Sequence, residues 1–209
     1  MNTNDVVNLM YRISDVIEEN KLYLTELDAS IGDGDHGLNL SKGFLAVKQK
    51  LESAKFIYVS EVLNTVAMTL ISSVGGASGP LYGTAFMKGA MVVKNKEQVG
   101  IDDYLNILKV ALEGIKFRGK ATEGEKTMID CLSPAIDSLV NDMDKNIEVN
   151  SMLDNMVSKA FEGVEYTKDI IATKGRASYL GERSIGHIDA GAMSCYLILK
   201  TISEEVTGK

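Results

Sequence analysis

Apolar residues recur along this chain with the period of an α-helix. Met10, Ile13 and Ile17 fall on one face of a segment covering roughly residues 4–22, and Leu63, Val66, Ala67, Leu70 and Val74 repeat the pattern over 60–74. The same reading predicts helices over 39–51, 80–94, 102–117, 126–142, 150–172 and 190–205, which makes eight. Capping signals agree with it: Ser60 stands before Glu61, and Ser151 is followed three positions on by Asp154. The best strand candidate, 56–59, is too short to build a sheet. The expected fold is all-α, an eight-helix antiparallel up-and-down bundle in one domain spanning 1–209.

The segments between these helices are of two kinds. Those near 52–58 and 143–149 are polar and charged, as plain connectors are. Four others are rich in glycine: 32–37, 75–79, 118–124 and 175–187. They fall after the first, third, fifth and seventh predicted helices. In an up-and-down bundle alternate connections share an end, so the pattern predicts one site at one end of the bundle.

Composition narrows the partners. The 209 residues carry a net charge of −7, which argues against nucleic acid or an anionic membrane as the main partner. It does not argue against phosphates, because a bound metal ion reverses the sign locally. Cys131 and Cys195 show no metal or redox spacing and read as reduced thiols. The N-terminal residues have neither the basic start nor the apolar run of a signal peptide, and no run of about 18 apolar residues occurs, so a cytoplasmic protein is expected.

The chemistry concentrates in the first glycine-rich segment, where Asp28, Asp33 and Asp35 fall within eight residues. Carboxylates crowded this closely repel one another unless a cation joins them. Mg²⁺ favours a few carboxylates completed by water and phosphate oxygens. The glycines allow close backbone approach to an anion, and the helix expected from Asn39 adds its positive end. The bland reading is a solvated acidic turn, which three aspartates, three glycines and a following helix make the weaker one. An EF-hand loop from Asp33 fails, with Leu38 where glycine and Phe44 where glutamate belong. The GxGxxG formed by Gly32, Gly34 and Gly37 lacks a preceding strand. The near P-loop at 114–120 has Ala121 where the metal-binding hydroxyl belongs.

Other candidates are individually weaker. His36 and His187 are the only two histidines and both lie in glycine-rich segments, which favours site roles over structural ones. Arg176, beside Gly175, is a candidate phosphate partner, while Arg183 reads equally well as a surface residue. Asp189 opens the last helix and could serve only as its N-cap; Met128 could be only core.

Together, Gly-Asp-Gly-Asp-His-Gly after Asp28, Gly-Gly-Ala-Ser-Gly-Pro-Leu-Tyr-Gly, Arg-Gly-Lys-Ala with Lys-Thr-Met, and Gly-Arg-Ala-Ser-Tyr-Leu-Gly-Glu-Arg-Ser-Ile-Gly-His resemble the L subunit of dihydroxyacetone kinase, nearly end to end. The resemblance implies an eight-helix antiparallel bundle. It implies that Asp28, Asp33 and Asp35 ligate two Mg²⁺ that bridge nucleotide phosphates. His36, Gly37, Leu38 and Asn39, with Ala77 and Ser78, would line the phosphate and ribose region. Gly119, Met128, Arg176, Asp189, Ala190 and Gly191 would surround the nucleotide, with Arg176 also stabilising transition-state charge. Three positions depart from the family's usual pattern: Ile188 stands for Gln, Ala190 for Pro, and Leu38 where Thr is frequent.

The resemblance covers the nucleotide subunit alone. Both histidines sit in glycine-rich segments, which leaves none for the covalent substrate binding performed by the family's other subunit. The expectation is therefore the phosphotransferase-system type: bound ADP, rephosphorylated by a phosphohistidine carrier protein, passes the phosphoryl group to dihydroxyacetone on a partner subunit. The alternatives are an ATP-exchanging kinase subunit of the same fold, a fatty-acid kinase domain, and a nucleotide-sensing module without activity. His36 counts against the fatty-acid kinase, whose motif typically has Thr there, and the intact aspartates count against the sensing module.

Overall fold

The computed structural model describes residues 1–209. It is all-α and has no β-strand; the sole ladder contact is an isolated bridge between Asn2 and Gln98. Nine α-helices occur where eight are expected: α1 (Thr3–Glu19), α2 (Lys21–Ile31), α3 (His36–Glu52), α4 (Val59–Ser73), α5 (Ser78–Val92), α6 (Ile101–Gly119), α7 (Met128–Asp144), α8 (Val149–Tyr166) and α9 (Ala190–Thr207). A 3₁₀ segment, Arg176–Ser184, lies between α8 and α9. The additional helix is α2: the first predicted helix breaks at Asn20 and a second one carries the chain to the first glycine-rich segment. The glycine-rich segments thus follow α2, α4, α6 and α8, still every second helix. None of the helices is long and apolar enough to cross a membrane.

Contacts group the chain into two compact units. The first comprises 1–19 and 39–119 and packs α4 on α5, α5 on α6 and α1 on α4 around Ile13, Ile17, Phe44, Val66 and Leu70, all fully buried. The second comprises 20–38 and 120–209 and packs α7, α8 and α9 on one another, with α2 on α9, around Leu24, Ile129, Leu139, Leu153 and Met156. Helix α3 crosses the boundary, its first three residues belonging to the second unit.

Helix ends follow side-chain caps rather than the apolar pattern alone. Tyr58, not Ser60, precedes α4, and the Glu61 carboxylate accepts the N–H groups of Ile57 at 2.8 Å and Tyr58 at 2.9 Å. Glu148, not Ser151, caps α8 by accepting the Ser151 N–H at 3.2 Å. Helix α7 starts two residues later than expected, because Lys126 takes φ +60° and Thr127 caps, its hydroxyl accepting from Ile129 while Asp130 accepts the Thr127 N–H at 2.8 Å. Helix α8 stops at Tyr166 instead of 172, since the Thr167 hydroxyl turns back onto the Val164 carbonyl at 2.6 Å.

Candidate functional site

Asp28 lies in the last turn of α2, an unfavourable end of the helix dipole for an anion. The next helix compensates: its Oδ2 accepts the N–H of Asp35 at 2.9 Å and of His36 at 3.2 Å, at the positive end of α3. The turn between them needs two glycines. A Cβ on Gly32 would stand 2.2 Å from Asp28 Oδ1, and Gly34 has φ +70°. This tight reversal places Asp28, half-buried, with exposed Asp33 and Asp35 so that one oxygen from each lies within 4.8 Å of the others. Three hard oxygen donors without nitrogen or sulfur suit Mg²⁺ rather than a softer ion. The first turn of α3, from His36 onward, directs backbone N–H groups toward the same place, where an anion is favoured.

His36 is directed inward. Its Nε2 meets Ser194 Oγ of α9 at 2.9 Å, and that hydroxyl donates to the Gly191 carbonyl at 3.0 Å. Burial lowers the histidine's proton affinity, against the pull of Asp28 and Asp35. The ring thereby links the head of α3 to the head of α9.

Arg176 opens the 3₁₀ segment and its Nε lies 2.8 Å from Asp33 Oδ2. The fourth glycine-rich segment is thus brought to the carboxylates of the first. Asp189 caps α9, accepting the Ala192 N–H at 2.7 Å. Burial pushes its carboxyl up to about 7, which the Ala192 N–H and Lys126 oppose and which Asp130 and Asp28 reinforce. Gly191 packs beside it: an added Cβ would lie 2.9 Å from Asp189 Oδ2 and 3.8 Å from the Met128 backbone nitrogen. Met128 and Ala190 are both buried. The second unit therefore assembles Asp28, Asp33, Asp35, His36, Arg176, Asp189, Gly191 and Met128 from residues far apart in the chain.

Asn39, Ala77, Ser78 and Gly119 belong to the first unit. There Asn39 lies against the second glycine-rich segment, its Nδ2 3.2 Å from where a Gly75 Cβ would be. Leu38 is 50% exposed, so its side chain is not core. The imidazole of His187 is exposed; its carbonyl is the engaged group, accepting from Lys126 Nζ at 2.5 Å. The residues that sequence reasoning passed over are Ser194, Thr167 and Lys126. Of these only Lys126 had a signal, its place in the Lys-Thr-Met motif.

Fold and site together define a helical protein equipped to hold a divalent cation beside an anion. A model of the DAK2 domain family matches residues 30–204. Over 195 residues the chain is 45% identical to the PTS-dependent dihydroxyacetone kinase, ADP-binding subunit DhaL, of Lactococcus lactis subsp. lactis, covering 93% of each. Over 203 residues it is 38% identical to the PEP-dependent dihydroxyacetone kinase, ADP-binding subunit DhaL, of Escherichia coli, covering 97% of each. The dihydroxyacetone kinase of C. freundii in complex with AMP-PNP and Mg²⁺ has the same fold, with a TM-score of 0.71 and 23% identity over 95% of this chain. This chain spans 33% of that one. The chain belongs to the DAK2 domain family, among the ADP-binding subunits of dihydroxyacetone kinase.

Proposed function

We propose that this chain holds ADP, transiently ATP, with two Mg²⁺, and relays a phosphoryl group from a phosphohistidine carrier protein to dihydroxyacetone on a partner subunit. The observation that carries this reading is the triad of carboxylates at the head of α3, in a chain whose relatives are named as ADP-binding subunits over nearly their full length. Bound ADP with its metal ions supplies the phosphoryl acceptor and donor. The protein's part is alignment and charge neutralisation.

In this reading Asp28, Asp33 and Asp35 are the metal ligands, with Asp28 fixed by the two N–H groups it accepts. Gly37 and Leu38 offer backbone N–H groups at the head of α3, next to His36, whose own N–H is given to Asp28. Leu38 acts through its backbone, so the missing threonine hydroxyl there is of no consequence. Arg176 exchanges its bond to Asp33 for the phosphates and stabilises the charge that develops in transfer. Met128, Asp189, Ala190 and Gly191 surround the rest of the nucleotide. Ala190 replaces the family's proline at the first position of α9, where proline mainly presets φ and alanine is tolerated. The whole chain acts as one nucleotide-binding domain in the cytoplasm.

Loading the site relieves the repulsion among the three carboxylates. ADP with Mg²⁺ at about a hundred times its dissociation constant should add roughly 2.7 kcal/mol. That corresponds to a melting shift of roughly 5–10 °C for a chain of this size, read by thermal denaturation with and without EDTA. An unchanged melting temperature would remove the basis for a liganded triad.

A chase experiment separates retained ADP from exchanging ATP. Protein loaded with radiolabelled ADP is mixed with partner subunit, dihydroxyacetone, a phosphohistidine donor and excess unlabelled ATP. Label that stays bound through many turnovers, with transfer dependent on the phosphohistidine donor, is the expected result. Rapid loss of label with sustained turnover on ATP alone would reject the relay in favour of an ATP-dependent kinase.

A further inference from the structure

Lys126 is the buried cation of the second unit, only 1% exposed. Burying an ammonium is costly unless its donors are fully used. Its Nζ donates to the carbonyl of Thr167, to His187 O at 2.5 Å and to Ile170 O at 3.4 Å. The first two acceptors are the residue that ends α8 and the residue two before the cap of α9. One ammonium therefore joins the two feet of the segment that runs from α8 to α9 and carries Arg176 at its crown. A second layer of bonds crosses the same neck: Gly186 N–H to Lys168 O at 2.7 Å, and Asp189 N–H to Thr167 Oγ1 at 3.0 Å. The preceding residue grips the crown, since Glu125 accepts from the Thr173 hydroxyl at 3.0 Å and pairs with Lys174 at 3.5 Å.

We infer that Lys126 is a positioning residue for the nucleotide site: by closing the neck of the 167–189 segment it fixes where Arg176 and the Asp189 cap stand relative to the carboxylate triad. This rests on the nucleotide reading given above. Compact loops with closed ends hold their crowns through the neck. Lys126 itself follows the third glycine-rich segment in a left-handed turn of φ +60°, just ahead of the Thr127 cap of α7. The ammonium also satisfies the carbonyl that ends α8, as cations do at helix C-termini.

The test is amide hydrogen exchange on the nucleotide-free full-length protein, paired with ADP dissociation measured in Mg²⁺. Lys126→Met leaves the carbonyls of Thr167, Ile170 and His187 without this donor. Exchange over 168–188 should accelerate by about tenfold or more while α7 and the body of α8 keep wild-type protection, and ADP should dissociate about tenfold faster. Lys126→Gln keeps two donors on a neutral group. It should show the same selectivity to a smaller degree, and it serves as the reporter if the Met variant does not melt cooperatively. Unchanged exchange over 168–188, acceleration spread evenly through α7 and α8, or a loosened segment with wild-type ADP dissociation would each overturn the inference. A wild-type protein that binds no ADP overturns the nucleotide reading instead, and the exchange pattern identifies that case separately.

Discussion

Asp35→Asn is expected to weaken Mg²⁺-dependent ADP binding by at least about a hundredfold, since even outer-shell partners of a metal site are commonly worth 10- to 100-fold. It should leave the helical content and the ligand-free melting temperature intact. The three aspartates are not equivalent as probes. Asp28 also accepts two backbone N–H groups, so its removal strips the head of α3 as well as a ligand charge. Asp33 also carries the ion pair to Arg176. Asp35 is exposed and belongs to the triad through its carboxylate. Its replacement by a near-isosteric amide removes one ligand charge and one source of repulsion, so the empty protein should lose no stability. Calorimetric titration with ADP in Mg²⁺, repeated in EDTA, is the measurement. Wild-type affinity in Mg²⁺ would sink the three-aspartate site.

The parts of this site that were legible in the sequence are those whose chemistry is local. The triad lies within eight residues and is separated by glycines that permit one tight reversal, so its convergence needs no long-range packing. Most helices carry a buried face and announce it by period. Helix α2 does not: Leu24 and Ile31 are its only buried residues, while Leu22 and Tyr23 are exposed, so no apolar stripe marks it. The end of α8 was hidden for the opposite reason. Ile170, Ile171 and Ala172 prolong the apolar pattern, but the Thr167 hydroxyl and the Lys126 ammonium take the terminal carbonyls and stop the helix. Lys126 itself, a lone basic residue ahead of a helix, gives no sign of being buried, because its acceptors are carbonyls that only tertiary folding brings together. The Arg176–Asp33 pair is illegible in the same way: each residue stood out, and the bond joining them did not.

Asp189 should make the stability of the nucleotide-free protein fall as pH rises from about 4 to about 7. An unfolded aspartate titrates near 3.9. In the folded chain burial raises this carboxyl to about 7, with Asp130 and Asp28 adding repulsion and Lys126 and the Ala192 N–H opposing it. Across that interval the folded protein holds a proton the unfolded chain has released, so stability declines with pH. The contribution is complete below the unfolded value and gone above the folded one. About three pH units at 1.36 kcal/mol each give up to about 4 kcal/mol over the window. For about 200 residues that is a fall in melting temperature of roughly 10 °C. Asp189→Asn keeps an oxygen for the Ala192 N–H and cannot ionise, so its melting curve against pH should be flatter by that amount and should exceed wild type above pH 7. Asp130, also raised by burial, leaves a residual slope of the same sign in both proteins, so the difference between them isolates Asp189. Lys126, lowered by burial, works in the opposite sense, its contribution being lost as pH falls through its depressed value. Melting by circular dichroism in EDTA at pH 5, 6, 7 and 8 decides the matter. Parallel curves for the two proteins would show that the carboxylate at the head of α9 is solvated, and that the charge held there at neutral pH costs the fold nothing.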